Sequence, residues 1–95
     1  MAGYCYILAS QKHGTLYIGS TTDLARRMEE HRSGVVEGFT TRYSVYRLVH
    51  AEFLENIVDA RARERAMKKW RRAWKIELIE AENPDWRDLT PLLNR

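Results

Sequence analysis

The sequence predicts an α/β (α+β) fold, a small three-stranded antiparallel sheet flanked by helices, and three observations lead there. Two short runs near the N-terminus alternate aromatic and β-branched residues around a polar turn that contains a glycine. A third run of strand composition lies just before residue 54. The stretches after the second and third runs carry helix-start residues followed by apolar residues at helical spacing.

The first two strands are Tyr4-Cys5-Tyr6-Ile7-Leu8 and Leu16-Tyr17-Ile18-Gly19-Ser20, joined by Gln11-Lys12-His13-Gly14. Hairpin strands pair antiparallel, so the sum of paired residue numbers is constant, and a two- or four-residue loop after about Ser10 makes it odd. Tyr6 and Tyr17 then share one face. Two phenols side by side on a small sheet are worth explaining, because each buried hydroxyl needs a partner.

Ser20-Thr21-Thr22-Asp23 supplies N-cap candidates for a short helix with Leu24, Ala25 and Met28 as its apolar stripe, ending at Ser33-Gly34. Arg27 and His31, four residues apart, flank that stripe and lean over the edge of whatever the helix packs against. Val35 to Ser44, with Gly38, Thr40, Thr41 and Arg42, has no clean period and reads as a loop. Tyr46 to Phe53 reads as the third strand, and its imperfect alternation suggests the central or best-buried one.

A longer helix is expected from Asn56 or Asp59 to about Trp74. Its stripe of Val58, Ala62, Ala66, Trp70 and Trp74, with Met67 adjacent, should lie on the sheet, with both tryptophans in the core. Arg63 falls within that sector and must pair or snorkel. The opposite sector is cationic and holds Glu64 as its one acid, suited to an ion pair with Lys68 or to a divalent metal ion. A further helical piece, Ile76 to Glu82, stops at Asn83-Pro84, and Trp86 in the tail is expected to cap the core.

Composition narrows the function classes. Ninety-five residues make one domain, residues 1–95, and no apolar run approaches the roughly 20 residues of a membrane span. The N-terminus enters strand pattern directly, with no basic and apolar leader pattern, so export is not expected. A lone cysteine, Cys5, supports neither an internal disulfide nor a thiolate zinc framework, so a cytoplasmic setting is expected. Net charge is +3 overall, yet Asp59 to Lys75 has eight basic residues and two acids, a net of +6 against −3 for the remainder. A basic segment on a slightly acidic body is the footprint of a polyanion-binding face.

These residues resemble the GIY-YIG nuclease superfamily, in particular its small stand-alone bacterial members, the UPF0213-like group. Tyr4-Cys5-Tyr6 stands where the first motif is expected, and Tyr17-Ile18-Gly19 matches the second. Leu24 to Gly34 is similar to the helix with the family's arginine and histidine, and Arg63 to Trp70 to the helix with its glutamate. Asn83 to Leu89 looks like the C-terminal signature of the stand-alone group. The resemblance covers nearly the whole chain. Its main departure is Tyr4 and Cys5 in place of Gly and Ile, which touches strand packing rather than the tyrosine.

The resemblance implies a metal-dependent endonuclease hydrolysing phosphodiester bonds. Tyr6, Tyr17, Arg27, His31 and Glu64 would be catalytic. Glu64 would be the sole protein ligand of one Mg²⁺ or Mn²⁺ ion, Arg27 the grip on the phosphate, and His31 a group that accepts or relays a proton or holds a tyrosine hydroxyl. Tyr17 or Tyr6 would act as base or position the water; sequence does not decide between them, and Tyr17 is preferred for the direct role with Tyr6 as its partner. Gly19, Arg42, Lys68, Lys69 and Arg71 are the candidate substrate contacts. The expected partner is DNA, single-stranded or branched, entering beside an aromatic such as Tyr43 or Tyr46, with RNA as the alternative. Repair, recombination or DNA uptake would be the setting, with no membrane association, no small-molecule cofactor and a monomeric chain. A non-catalytic nucleic-acid-binding module on the same fold is the second reading. A protein adaptor using an exposed Trp70/Trp74 face is the third.

Overall fold

The computed structural model describes residues 1–34 and 43–94. Three strands, β1 (Gly3–Ala9), β2 (Leu16–Thr21) and β3 (Arg47–Leu54), form one antiparallel sheet in the order β2-β1-β3. Helix α1 (Leu24–Ser33) follows the hairpin, α2 (Ile57–Lys68) and α3 (Arg72–Glu82) follow β3, and a 3-10 turn spans Thr90–Asn94. Tyr6 pairs with Gly19 and Leu8 with Tyr17, so the paired numbers sum to an odd value and Tyr6 and Tyr17 do share a face.

The central strand is β1, not the run before residue 54; β3 is an edge strand. Its broken alternation comes from a register shift opposite Ile7 and Leu8, the mark of a bulge. The outer side of β3 is not bare. The Leu89 amide donates to the Leu48 carbonyl at 2.8 Å, Asn83 Nδ2 to the Val49 carbonyl at 3.1 Å, and the Leu48 amide to Asp88 Oδ1 at 3.2 Å. The Asn83-to-Leu89 segment thus closes that flank, with Trp86 completely buried beneath it as expected. Such cover removes the unpaired edge that would otherwise recruit other chains.

Two hydrophobic layers sandwich the sheet. Tyr6, Leu8 and Leu48 face α1 through Leu24 and Met28. Cys5, Ile7, Ala9, Ile18 and Val49 face Met67 of α2, Ile79 of α3 and Trp86. Burial pushes the Cys5 thiol up to about 11, so it is an inert interior group. The α1 helix is capped as its sequence predicts. Asp23 Oδ1 accepts from the Arg26 amide at 3.2 Å, and Gly34, at φ 80°, ends it in the left-handed conformation.

The long helix expected to Trp74 is two helices. Arg71 has extended backbone (φ −62°, ψ 147°), and α3 restarts after it. Tertiary contacts hold the break: Arg72 Nη2 donates to the carbonyls of His13 and Gly14 at 2.7 and 2.6 Å, and Trp70 packs at the edge of the core. The predicted apolar face is also corrected. Val58 is 61% and Trp74 49% exposed, while Ala60 and Met67 are buried, with Ile57, Arg63 and Glu64 half-buried on the same side. The buried set follows i, i+3, i+4, i+7 spacing. Two ionised side chains sit in it because each meets a partner on the sheet. Arg63 binds Glu52 through Nε at 2.8 Å and Nη2 at 3.1 Å, and Glu64 accepts from Ser20 Oγ. Trp70 stays half-buried under the Arg63 guanidinium, 4.9 Å from the ring centroid, so of the two tryptophans only this one packs against the core.

Among the described residues, no helix is long and apolar enough to cross a membrane.

Candidate active site

The α1 side of the sheet assembles four of the predicted residues. Tyr6 comes from the middle of β1, Tyr17 from β2, and Arg27 and His31 from successive turns of α1. Tyr6 is fully buried, and its Oη lies 2.9 Å from Nε2 of the equally buried His31. The Tyr17 ring stands edge-on to His31, centroids 5.4 Å apart, and 6.4 Å from Tyr6. Gly19 makes this cluster possible. A Cβ there would fall 2.5 Å from Tyr6 Oη, 2.6 Å from Tyr6 Cζ and 3.1 Å from Tyr17 Cε2. Gly19 is therefore the hollow that receives the Tyr6 phenol.

Burial and charge set distinct properties for these groups. Burial pushes the Tyr6 phenol up to about 12, against the pull of Arg27, so it keeps its proton at neutral pH. Burial, aided by the Arg27 charge, lowers His31 and keeps its imidazole neutral there. Contact with the Tyr6 phenol holds the Arg27 guanidinium above its ordinary value. Arg27 Nη1 donates to Glu30 at 3.2 Å, whereas Arg27 Nε is buried with no hydrogen-bond partner among the described residues. A buried unpaired donor of this kind costs about 1–3 kcal/mol, so an acceptor that fills it is strongly favoured.

Glu64 lies on the other side of the sheet. Ser20 follows Gly19 on β2, so its side chain points to the opposite face, where its hydroxyl donates to Glu64 Oε1. Lys68 Nζ binds Glu64 Oε2 at 2.5 Å. Even so, the Glu64 charge is felt at the Tyr6 phenol, where it acts to raise the pKa. The two half-sites lie on either face of β2, whose outer edge pairs with no strand among the described residues.

Two depressions flank that edge. One, of about 340 Å³, is lined by Leu16, Tyr17, Ile18, Lys68 and Lys75. The other, of about 330 Å³, lies at the far end of β2 between Ser20, Arg27 and Arg61. Among the described residues no three His, Cys, Asp or Glu side chains gather into a metal cage. Glu64 with the Ser20 hydroxyl offers instead a single carboxylate and a neutral oxygen, a donor set that fits one hard cation retaining most of its waters once Lys68 moves aside.

Other expected substrate residues fare differently. Lys68 lines the Tyr17 depression. Lys69 caps α2 through its backbone, and the Arg71 guanidinium lies 5.5 Å from the Trp74 ring centroid, so neither is placed in the cluster. Tyr46 lines a separate groove with Arg32 and Arg47, and Tyr43 is 48% exposed. Arg42, with Gly38, Thr40 and Thr41, lies outside the described residues. Ser20, a cap candidate by sequence, is instead the strand residue that holds Glu64; its alternation with Gly19 along β2, which puts it on the opposite face, is the sequence signal for this role. Sequence reasoning missed Glu52 and His50, joined at 2.8 Å, whose link to Arg63 no local spacing reveals.

The GIY-YIG catalytic domain family matches residues 2–77 of this chain. The UPF0213 protein CPE1444 of Clostridium perfringens is 36% identical over 84% of this chain and 85% of its own length. A UPF0213 protein of Syntrophus aciditrophicus is 36% identical over 86% and 93%. The solution NMR structure of the UPF0213 protein BH0048 from Bacillus halodurans superposes with a TM-score of 0.57 at 32% identity, covering 97% of both chains. That structure shares the three-stranded sheet with its helices, and a nuclease-type catalytic domain acting on nucleic acid is what the family match suggests. The chain therefore belongs to the GIY-YIG family, within its UPF0213 group.

Proposed function

We propose that this protein is an endonuclease that hydrolyses DNA phosphodiester bonds at the β2 edge, with one Mg²⁺ or Mn²⁺ ion at Glu64. The observation that supports this best is the buried, unpartnered Arg27 Nε beside the Tyr6–Tyr17–His31 cluster. The Arg27 side chain is one-third exposed, so a small rotation turns its open donor outward, where the guanidinium would grip a nonbridging phosphate oxygen and neutralise its charge as the phosphorane-like transition state forms.

Hydrolysis requires a bond from water oxygen to phosphorus, rupture of a bridging P–O bond, and proton transfers at both oxygens. Tyr17 is the tyrosine that meets the water. It is half-buried at the rim and shares its depression with Lys68 and Lys75. Tyr6 is fully enclosed and keeps its proton; its bond to His31 fixes the imidazole, and the Gly19 hollow fixes Tyr6. Neutral His31 takes up the proton by relay: the Tyr6 hydroxyl gives its proton to Nε2 as it receives one from the water side, so the phenol is protonated before and after the step. A divalent ion bound at Glu64 would supply charge neutralisation for phosphate and leaving oxygen. Ser20 orients the Glu64 carboxylate.

The direct test incubates the purified protein and its Glu64→Ala variant with labelled single-stranded, duplex and forked DNA and with RNA, in Mg²⁺, Mn²⁺ or EDTA. Metal-dependent cleavage by the wild type alone is expected, favouring single-stranded or forked DNA. Cleavage in EDTA, or by both proteins, would sink the mechanism. Binding without cleavage of any substrate would instead establish a nucleic-acid-binding module.

A further inference from the structure

The two depressions at the β2 edge are both cationic, and each holds one cation, Lys75 or Arg61, that the chemistry proposed above does not use. Lys75, half-buried at the start of α3, lines the depression beside Leu16, Tyr17 and Ile18. Arg61, exposed on α2, lines the cleft beside Ser20 and Thr21. Neither forms an ion pair among the described residues. By contrast, Arg26 and Arg27 in the same cleft are paired with Glu30, and Asp23 is occupied as the α1 cap.

Among the described residues, the fold leaves one flank for an extended ligand. The Asn83-to-Leu89 segment occupies the outer side of β3, whereas β2 pairs with β1 on one side and with no described strand on the other. Six residues of β2 span about 17 Å, the length of roughly five phosphate steps at the 3.4 Å spacing of a stacked strand and fewer in an extended one. Tyr17 lines the Lys75 depression, and Gly19 follows it along β2 before Ser20 and Thr21 of the Arg61 cleft.

We propose that a single nucleic-acid strand lies along the β2 edge, with its phosphates on one side of the scissile bond held by Lys75 and those on the other side by Arg61. The proposal rests on the nucleic-acid reading above and adds the direction of the strand relative to the fold. Phosphate contacts of this kind fix register without reading bases. One line of contacts between two cations matches the phosphates of a single phosphodiester backbone. A deoxyribose or a ribose strand offers the same anion.

The experiment maps phosphates by binding alone, in EDTA, so that it does not depend on hydrolysis. Short single strands of DNA, each with one neutral methylphosphonate at a successive position, are titrated by fluorescence anisotropy against wild type, Lys75→Ala and Arg61→Ala. Each variant should bind several-fold more weakly and reduce the salt slope by about 1. Lys75→Ala should become insensitive to neutralisation at one end of the bound segment and Arg61→Ala at the other. Lys75→Arg and Arg61→Lys should restore both patterns. Coupling of both variants to the same phosphates, or to none, would overturn the track, and so would duplex DNA binding tighter than the single strand with the same map. An RNA set with the same map and higher affinity would identify ribose strands as the natural ligand and keep the track. A protein that cleaves nothing in the substrate panel but gives the two-ended map loses the catalytic reading and keeps this one.

Discussion

Replacing Gly19 with alanine isolates the spatial requirement of the tyrosine cluster. Gly19 does not have the positive φ that would strain an L-residue, so the backbone accepts alanine and only the new methyl group acts. That methyl would stand 2.5 Å from Tyr6 Oη and 2.6 Å from Tyr6 Cζ. Ordinary contact between carbon and its neighbours begins near ~3.5 Å, so the phenol must retreat by about 1 Å. Tyr6 is fully enclosed and rigid beyond χ2, hence its end cannot swing aside without breaking the 2.9 Å bond to His31. Overpacking costs about 1–3 kcal/mol and the lost hydrogen bond about 1 kcal/mol, so the variant should lose about 2–4 kcal/mol of stability. Displacement of a site group by about 1 Å should lower turnover on the order of 100-fold. Urea unfolding and cleavage of labelled DNA, read beside Tyr6→Phe, test both quantities. Stability and turnover within a factor of two of wild type would show that Gly19 does not hold the Tyr6 phenol in place.

Tyr17→Phe keeps the ring packing and removes the hydroxyl at the rim, so turnover should fall at least 100-fold while affinity in EDTA stays within about twofold; unchanged turnover would remove Tyr17 from contact with the water. Glu52, chiefly through its hydrogen bond with His50 and then its pairing with Arg63, is held down to about 2 from an ordinary 4.5. The unfolded chain therefore takes up this proton first as pH falls: the stabilisation is complete above about 4.5 and is lost towards about 2, a change of about 2–3 kcal/mol. Acid unfolding of Glu52→Gln should lack that portion of the slope, and an identical slope would contradict the Glu52 network. Asp23→Ala removes the cap bond to the Arg26 amide and should cost about 1 kcal/mol in urea, with α1 fraying first in amide exchange.

Much of this fold follows from local rules. The hairpin register, and with it the shared face of Tyr6 and Tyr17, needs only alternation and loop parity. The ends of α1 are marked by Asp23 and Gly34, which placed Arg27 and His31 on adjacent turns facing the sheet. What stayed hidden lies where polar tertiary contacts override hydrophobic period. The face of α2 is set partly by Arg63 and Glu64 meeting Glu52 and Ser20; spacing already turns Arg63 inward in need of a partner, but an apolar count assigns Glu64 to solvent. The break at Lys69-Trp70-Arg71 has no glycine or proline to announce it; it depends on Arg72 reaching the turn carbonyls of another element. The edge position of β3 depends on a tail forty residues later. Because α2 presents Glu64 to Ser20, the carboxylate arrives from the face opposite the tyrosines, a division that motif spacing does not contain.

That division makes a double-mutant cycle the most direct measure of the proposed mechanism, in which Tyr17 and Glu64 act on one phosphate from opposite faces of β2. Single-turnover rates of Tyr17→Phe, Glu64→Gln and the double variant should be strongly non-additive, with the double variant little worse than the poorer single one. Rate losses that multiply independently would contradict a shared phosphate at the β2 edge.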